Sequence, residues 1–255
     1  MKSIRQTITD KGQNVLNIYF TAGHPTLEST VDIIISLAQN GVDLIELGIP
    51  YSDPLADGLT IQKSGEAALR NGQTISNIFA QVKEARQSTD IPIVMMGYFN
   101  QFLQYGAERF LKDAQESGVQ GLILPDLPMD IYQNEYQSMF EKYHMEISFL
   151  VTPLTSDDRI LMADQLSSGF LYVVSQSSIT GKSGDLSDTQ RQYFHRIQDM
   201  KLTSPQLIGF GIHDKRSRME ASQYAHGVIV GSAFIRALDG SNDIFKTIQE
   251  FVGNL

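Results

Sequence analysis

The segment Ile33-Ile-Ile-Ser-Leu-Ala-Gln-Asn-Gly-Val-Asp-Leu-Ile-Glu-Leu-Gly-Ile-Pro-Tyr-Ser-Asp-Pro-Leu-Ala-Asp-Gly58 holds one complete structural unit: helix, glycine stop, strand and shaped loop. Ile33, Leu37 and Ala38 recur at helical spacing, and Gly41 stands where a left-handed residue ends a helix. Val42 to Leu47 then reads as a buried strand. The unit recurs along all 255 residues. Short β-branched or aromatic runs predict strands at Val15 to Thr21, Val42 to Leu47, Ile91 to Met96, Gly121 to Leu124, Ile147 to Thr152, Phe170 to Ser175, Leu207 to Gly211 and Val228 to Gly231. Phe110, Leu111 and Ala114 mark another helix. The polar-glycine-apolar step repeats at Ser117-Gly118-Val119, Ser168-Gly169-Phe170 and His226-Gly227-Val228, and predicts left-handed glycines there as well. Ser187-Asp-Thr-Gln190 predicts a capping box. Eight strand-helix units in about 250 residues predict an α/β fold: a single (β/α)8 TIM barrel over residues 1–255, with a short N-terminal helix and extra helical turns in loops. An open doubly wound sheet is disfavoured, because no G-x-G-x-x-G follows the first strand.

Composition narrows the function. A net charge of -9 argues against a nucleic-acid or anionic-membrane surface, which calls for clustered Lys and Arg. With no cysteine there is no disulfide framework, thiol nucleophile or thiolate metal site, and no two of the five histidines have the i, i+4 spacing of a helical metal pair. The N-terminus lacks a signal peptide's apolar core, so the expected location is cytoplasmic. The partners expected are small molecules or proteins.

Two carboxylates stand out. Glu46 lies in a strand apolar on both faces, where an unpaired carboxylate either keeps its proton or finds a partner. Asp57 lies on the long Pro-rich loop that follows, on the side of a barrel where chemistry sits. Two acids in different surroundings suit acid/base catalysis. The late loops add glycines: Gly181 after the sixth strand, Gly211 at the seventh, Gly231 and Ser232 after the eighth. Backbone amides there, with a helix beginning near Ala233, suit a phosphate group.

These residues, with Phe20-Thr-Ala-Gly-His-Pro25, Pro125-Asp-Leu-Pro128, Gly209-Phe-Gly-Ile212 and Gly231-Ser232, closely resemble the tryptophan synthase α subunits over essentially the whole chain. The resemblance implies retro-aldol cleavage of indole-3-glycerol phosphate to indole and glyceraldehyde 3-phosphate. It also implies that indole passes to a β subunit in an αββα heterotetramer. No cofactor is implied in this chain; pyridoxal phosphate belongs to the β partner. By the same resemblance Glu46 shuttles the proton and Asp57 holds the indole N–H. Tyr172 contacts the glutamate or substrate, Tyr19, Ile61, Met96 and Tyr98 shape the indole pocket, and Thr180 closes over Asp57. Gly181, Gly211, Gly231 and Ser232 correspond to the phosphate ligands, and Asp53, Pro54, Asn100, Asp126 and Pro128 to residues facing the partner. Leu59, Gln101 and Gln176 depart from the usual proline, proline and arginine. Three alternatives compete: another phosphate-binding barrel acting on a neighbouring indole or ribulose intermediate, disfavoured because no lysine lies in any of the eight strand runs; a regulatory subunit that binds a phosphorylated ligand, disfavoured by the presence of both Glu46 and Asp57; and a free-standing lyase that releases indole, which differs from the complexed form only on loop surfaces.

Overall fold

The computed structural model describes residues 2–54, 57–175, 187–209 and 211–255. Its strands are β1 (Val15–Thr21), β2 (Leu44–Gly48), β3 (Ile93–Met96), β4 (Gly121–Ile123), β5 (Glu146–Ile147), β6 (Leu150–Val151), β7 (Leu171–Val174), β8 (Gln206–Gly209) and β9 (Gly227–Val230). All pairings are parallel, in the order β5-β4-β3-β2-β1-β9-β8-β7-β6. The two edge strands, β5 and β6, are separated in the chain only by Ser148 and Phe149. Ser148 N–H donates to Leu122 of the β4 side, and Phe149 C=O accepts from Tyr172 of β7. Residues 146–151 therefore form one stave that joins both edges, and the curled sheet closes with eight staves.

The expected continuous strand Ile147 to Thr152 is thus two short ladders. Its front half pairs with β4 and its back half with β7. Serine hydroxyls take over some ladder positions: Ser148 Oγ accepts from Phe170 N–H at 3.1 Å and Ser167 Oγ from Phe149 N–H at 3.1 Å. The other strands fall within about two residues of their expected ends.

Alternation along the strands separates two cores. Leu16, Ile18 and Phe20 of β1, Ile45 and Leu47 of β2, and Leu171 and Val173 of β7 face the surrounding helices. Val15, Tyr19, Leu44, Val94, Ile123, Tyr172, Leu207 and Ile229 fill the barrel interior. The helix Ile4–Lys11 lies across the N-terminal ends of the strands. Ile4 and Ile8 are fully buried among the interior residues, each contributing about 1.5–3 kcal/mol of burial. Glu146, at the start of β5, accepts from the helix's first amides, Ile4 at 2.6 Å and Arg5 at 3.3 Å. No helix among the described residues is long and apolar enough to cross a membrane.

Two of the four glycine steps behave as expected. Gly41 and Gly118 have φ of 81° and 94° and end the helices Ser29–Gln39 and Ala107–Ser117. Gly169 and Gly227 are not left-handed, which corrects the expectation for them. Their constraint is close approach: a Cβ on Gly227 would collide with the Val15 carbonyl, and one on Gly169 would come within 2.7 Å of Ser148 Oγ. The Ser187–Gln190 capping box forms at the start of helix Asp188–Asp199.

Candidate active site

The interior positions change character toward the C-terminal ends of the strands. On β1 they run Val15, Asn17, Tyr19 and Thr21, and on β2 Leu44, Glu46 and Gly48, with Tyr19 in register with Glu46. Glu46 is 1% exposed. Asn17 Nδ2 donates to its Oε2 at 3.1 Å. Burial pushes the Glu46 carboxyl up to about 8, against the Asn17 hydrogen bond and helped by the nearby Asp57 charge. A carboxyl with that affinity exchanges its proton near neutral pH, as a general acid and base must.

Asp57 precedes the helix Leu59–Arg70 and is half-buried. Tyr98 donates its hydroxyl to Asp57 Oδ2 at 3.1 Å, and Gln62 donates to the Asp57 carbonyl at 2.7 Å. Burial raises its affinity for a proton, and the Tyr98 hydrogen bond acts against that rise. Tyr98 is itself packed on Tyr51, with ring centroids 5.0 Å apart, and Asn100 donates to the Tyr51 hydroxyl at 3.0 Å. Gln101 bonds the Tyr98 amide with one end and the Pro50 carbonyl with the other, at 3.0 and 2.9 Å. Gln101 thus makes an amide cross-link between the loops after β2 and β3.

Tyr19 and Tyr172 lie over glycines of neighbouring strands. A Cβ on Gly48 would fall on the Tyr19 hydroxyl, and one on Gly209 on the Tyr172 hydroxyl. Both phenols are buried and hold their protons well beyond the ordinary tyrosine range, chiefly through desolvation, with Glu46 and Asp57 adding to it. Ile61 and Met96 pack against the same interior cluster. Of the expected pocket residues, Tyr19, Tyr98 and Tyr172 therefore face the acidic pair, while Ile61 and Met96 are placed only against the interior cluster that contains Tyr19 and Tyr172.

Gly211 has φ of 84° and is exposed, and Gly231 precedes the helix Ser232–Asp239 against the Tyr19 side chain. The helix starts one residue before the expected Ala233, and a Cβ on Gly231 just ahead of it would lie 3.4 Å from the Tyr19 side chain. Asp53, Asn100, Asp126 and Pro128 are exposed and Pro54 half-buried, on the loops after β2, β3 and β4. Asp126 also accepts from the Phe99 amide at 2.8 Å, at the start of helix Phe99–Tyr105. Thr180, Gly181 and Gln176 lie outside the described residues. Asn17 escaped the sequence reading, although it carries the signal that singled out Glu46: a polar residue in phase with the interior positions of an apolar strand.

The whole chain matches known proteins. The family model described as "Tryptophan synthase alpha chain" matches residues 6–253. The tryptophan synthase alpha chain of Flavobacterium johnsoniae is 49% identical over 255 residues, 100% of both chains, and that of Bacteroides thetaiotaomicron 42% over 248 residues, 97% of both. Among solved structures, Mycobacterium tuberculosis tryptophan synthase superimposes with a TM-score of 0.86 at 31% identity, covering 98% of this chain and 94% of that one. A mutant tryptophan synthase α-subunit from Pyrococcus furiosus gives 0.88 at 32% identity, covering 96% and 98%. Full-length identity and the shared architecture agree: this chain belongs to the tryptophan synthase alpha chain family.

Proposed function

We propose that this chain cleaves indole-3-glycerol phosphate to indole and glyceraldehyde 3-phosphate through Glu46 and Asp57, and passes indole to a β subunit. One observation carries the residue assignment. Two carboxyls share the C-terminal mouth of the barrel, one buried with a single amide donor and the other half-open and held by a tyrosine hydroxyl. Protonated Glu46 delivers its proton to C3 of the indole ring, and positive charge develops on the ring nitrogen. Asp57, as the carboxylate, accepts the N–H hydrogen bond and offsets that charge. Glu46, now the base, removes the proton of the adjacent side-chain hydroxyl. The carbon-carbon bond then breaks, its electrons restore the aromatic ring, and the hydroxyl carbon leaves as the aldehyde. Glu46 ends as it began, protonated.

Tyr19, Ile61, Met96, Tyr98 and Tyr172 enclose the ring, while the amides at Gly211, Gly231 and Ser232, with Gly181, hold the phosphate. Asp53, Pro54, Asn100, Asp126 and Pro128 face the β subunit in an αββα assembly, and pyridoxal phosphate is bound by that partner. The test is indole release by the purified chain, alone and with a β subunit. Glu46→Gln and Asp57→Asn should each lower kcat by at least about 10²-fold. Full turnover by either variant would overturn its assigned role.

A further inference from the structure

Asn17 is the only direct hydrogen-bond partner given to Glu46 by the described residues, and it is fully buried. It sits in the barrel interior one pleat below Tyr19, in register with Leu44, so its amide reaches Glu46 along the diagonal between β1 and β2. An asparagine in an apolar strand carries a desolvation cost that a valine or leucine would avoid. Its Oδ1 is buried without a hydrogen-bond partner among the described residues, so the side chain is half satisfied. A purely structural amide would normally bond through both ends.

We propose that Asn17 is a positioning residue for Glu46 that serves both of its protonation states: Nδ2 donates to the carboxylate, and after rotation about χ2 the Oδ1 accepts the proton of the acid. Rotation exchanges which end of the amide is left unpaired, so neither state gains an additional unsatisfied group. No proton passes through Asn17. The amide keeps the carboxyl aimed into the pocket throughout the cycle and stops desolvation from locking it in the protonated form. The other titratable groups facing Glu46 are Asp57 on the loop after β2, Tyr19 on β1 and Tyr172 on β7. Each disfavours the carboxylate or is neutral, which leaves Asn17 as the group among the described residues that favours it.

This inference rests on Glu46 being the shuttle, and its test separates the two claims. Asn17→Leu keeps the volume and suits an apolar interior. The Glu46 carboxyl is titrated by carbon NMR in the isolated chain, with Glu46→Gln identifying the signal, and kcat and KM are measured across pH with the β subunit present. In Asn17→Leu the carboxyl midpoint should rise by about one unit and kcat near neutral pH should fall about ten- to a hundredfold, matching loss of a hydrogen bond to a charged group, while KM stays within about threefold. An unmoved midpoint in the folded variant, or a raised KM with unchanged kcat, overturns the proposal. A moved midpoint with an unmoved rate profile overturns it too, and an active Glu46→Gln would then place the failure in the shuttle assignment. Should Asn17→Leu not fold, Asn17→Ser, too short to reach Glu46, is read against the same criteria.

Discussion

Glu46 is a residue whose surroundings act against its charge, and this has a cost in stability as well as a use in chemistry. In the unfolded chain its carboxyl loses a proton near 4.5; in the folded barrel burial holds that proton up to about 8. Between those values the native state binds more protons than the unfolded state, so stability falls as pH rises through this window and the loss is complete above about 8. Glu46→Gln removes the effect. We expect it to raise the melting midpoint by at least about 2 °C at pH 8.5 and by clearly less at pH 5, alongside its loss of activity, as calorimetry across pH would show. An equal shift at both pH values would mean that packing, not ionisation, sets the change. Asp57 depends on Tyr98 in the opposite sense, since that hydroxyl lowers its proton affinity. Tyr98→Phe keeps the ring packed on Tyr51 but removes the donor, and kcat should fall about tenfold with the acid limb of the rate profile moved to higher pH. A profile that keeps its limb would show that Asp57 does not need this bond.

At the level of elements, the junctions between helix and strand depend on a few side chains that satisfy several carbonyls at once. Arg86 follows the helix Ile75–Ala85 and donates to the carbonyls of Gly118, Thr89 and Ile91 and to Gln120 Oε1, at 2.5–3.4 Å. Gln120 in turn accepts from the Ile93 amide at 2.8 Å, so the entries to β3 and β4 share this one guanidinium. Arg86→Leu should cost about 2–4 kcal/mol by urea denaturation, and Arg86→Lys should recover little of it because an ammonium cannot span the same acceptors. Such junctions explain what the sequence could reveal. Strand runs were legible because alternation and β-branching are local properties, and Gly41 and Gly118 because a helix stop is local too. Gly169 and Gly227 were misread because their constraint is a neighbouring strand, Ser148 in one case and Val15 in the other. Glu46 was legible as an acid in an apolar strand. Its partner Asn17 carried the same signal 29 residues earlier, but only the register of β1 on β2 brings the two together. Asn100 and Asp126 were assigned to a partner surface by resemblance, and the structure adds bonds to Tyr51 and Phe99 that no local pattern announces.

At the scale of the molecule, closure and floor are coupled. Glu146 begins the stave that joins the two edges of the sheet, and its carboxylate also caps the N-terminal helix. Arg5 of that helix donates to the Ser167 and Thr203 carbonyls ahead of β7 and β8, at 3.3 and 2.9 Å. The helix thus contacts the closing stave and the entries to β7 and β8 from below, while Ile4 and Ile8 are buried in the interior cluster with Val15, Leu44 and Phe170. Weakening the floor should therefore lower the stability of the barrel as a whole, not merely fray its end. Ile8→Ala leaves a cavity in a fully buried site, and a loss of about 2–5 kcal/mol is expected. If the barrel is one cooperative unit, the urea midpoint should fall with an unchanged denaturant slope, and turnover at low temperature should persist because Glu46 and Asp57 lie toward the opposite end of the strands. A separate early transition limited to the helix, with the main midpoint unmoved, would show that the floor is an appendage and that the closing stave holds the barrel without it.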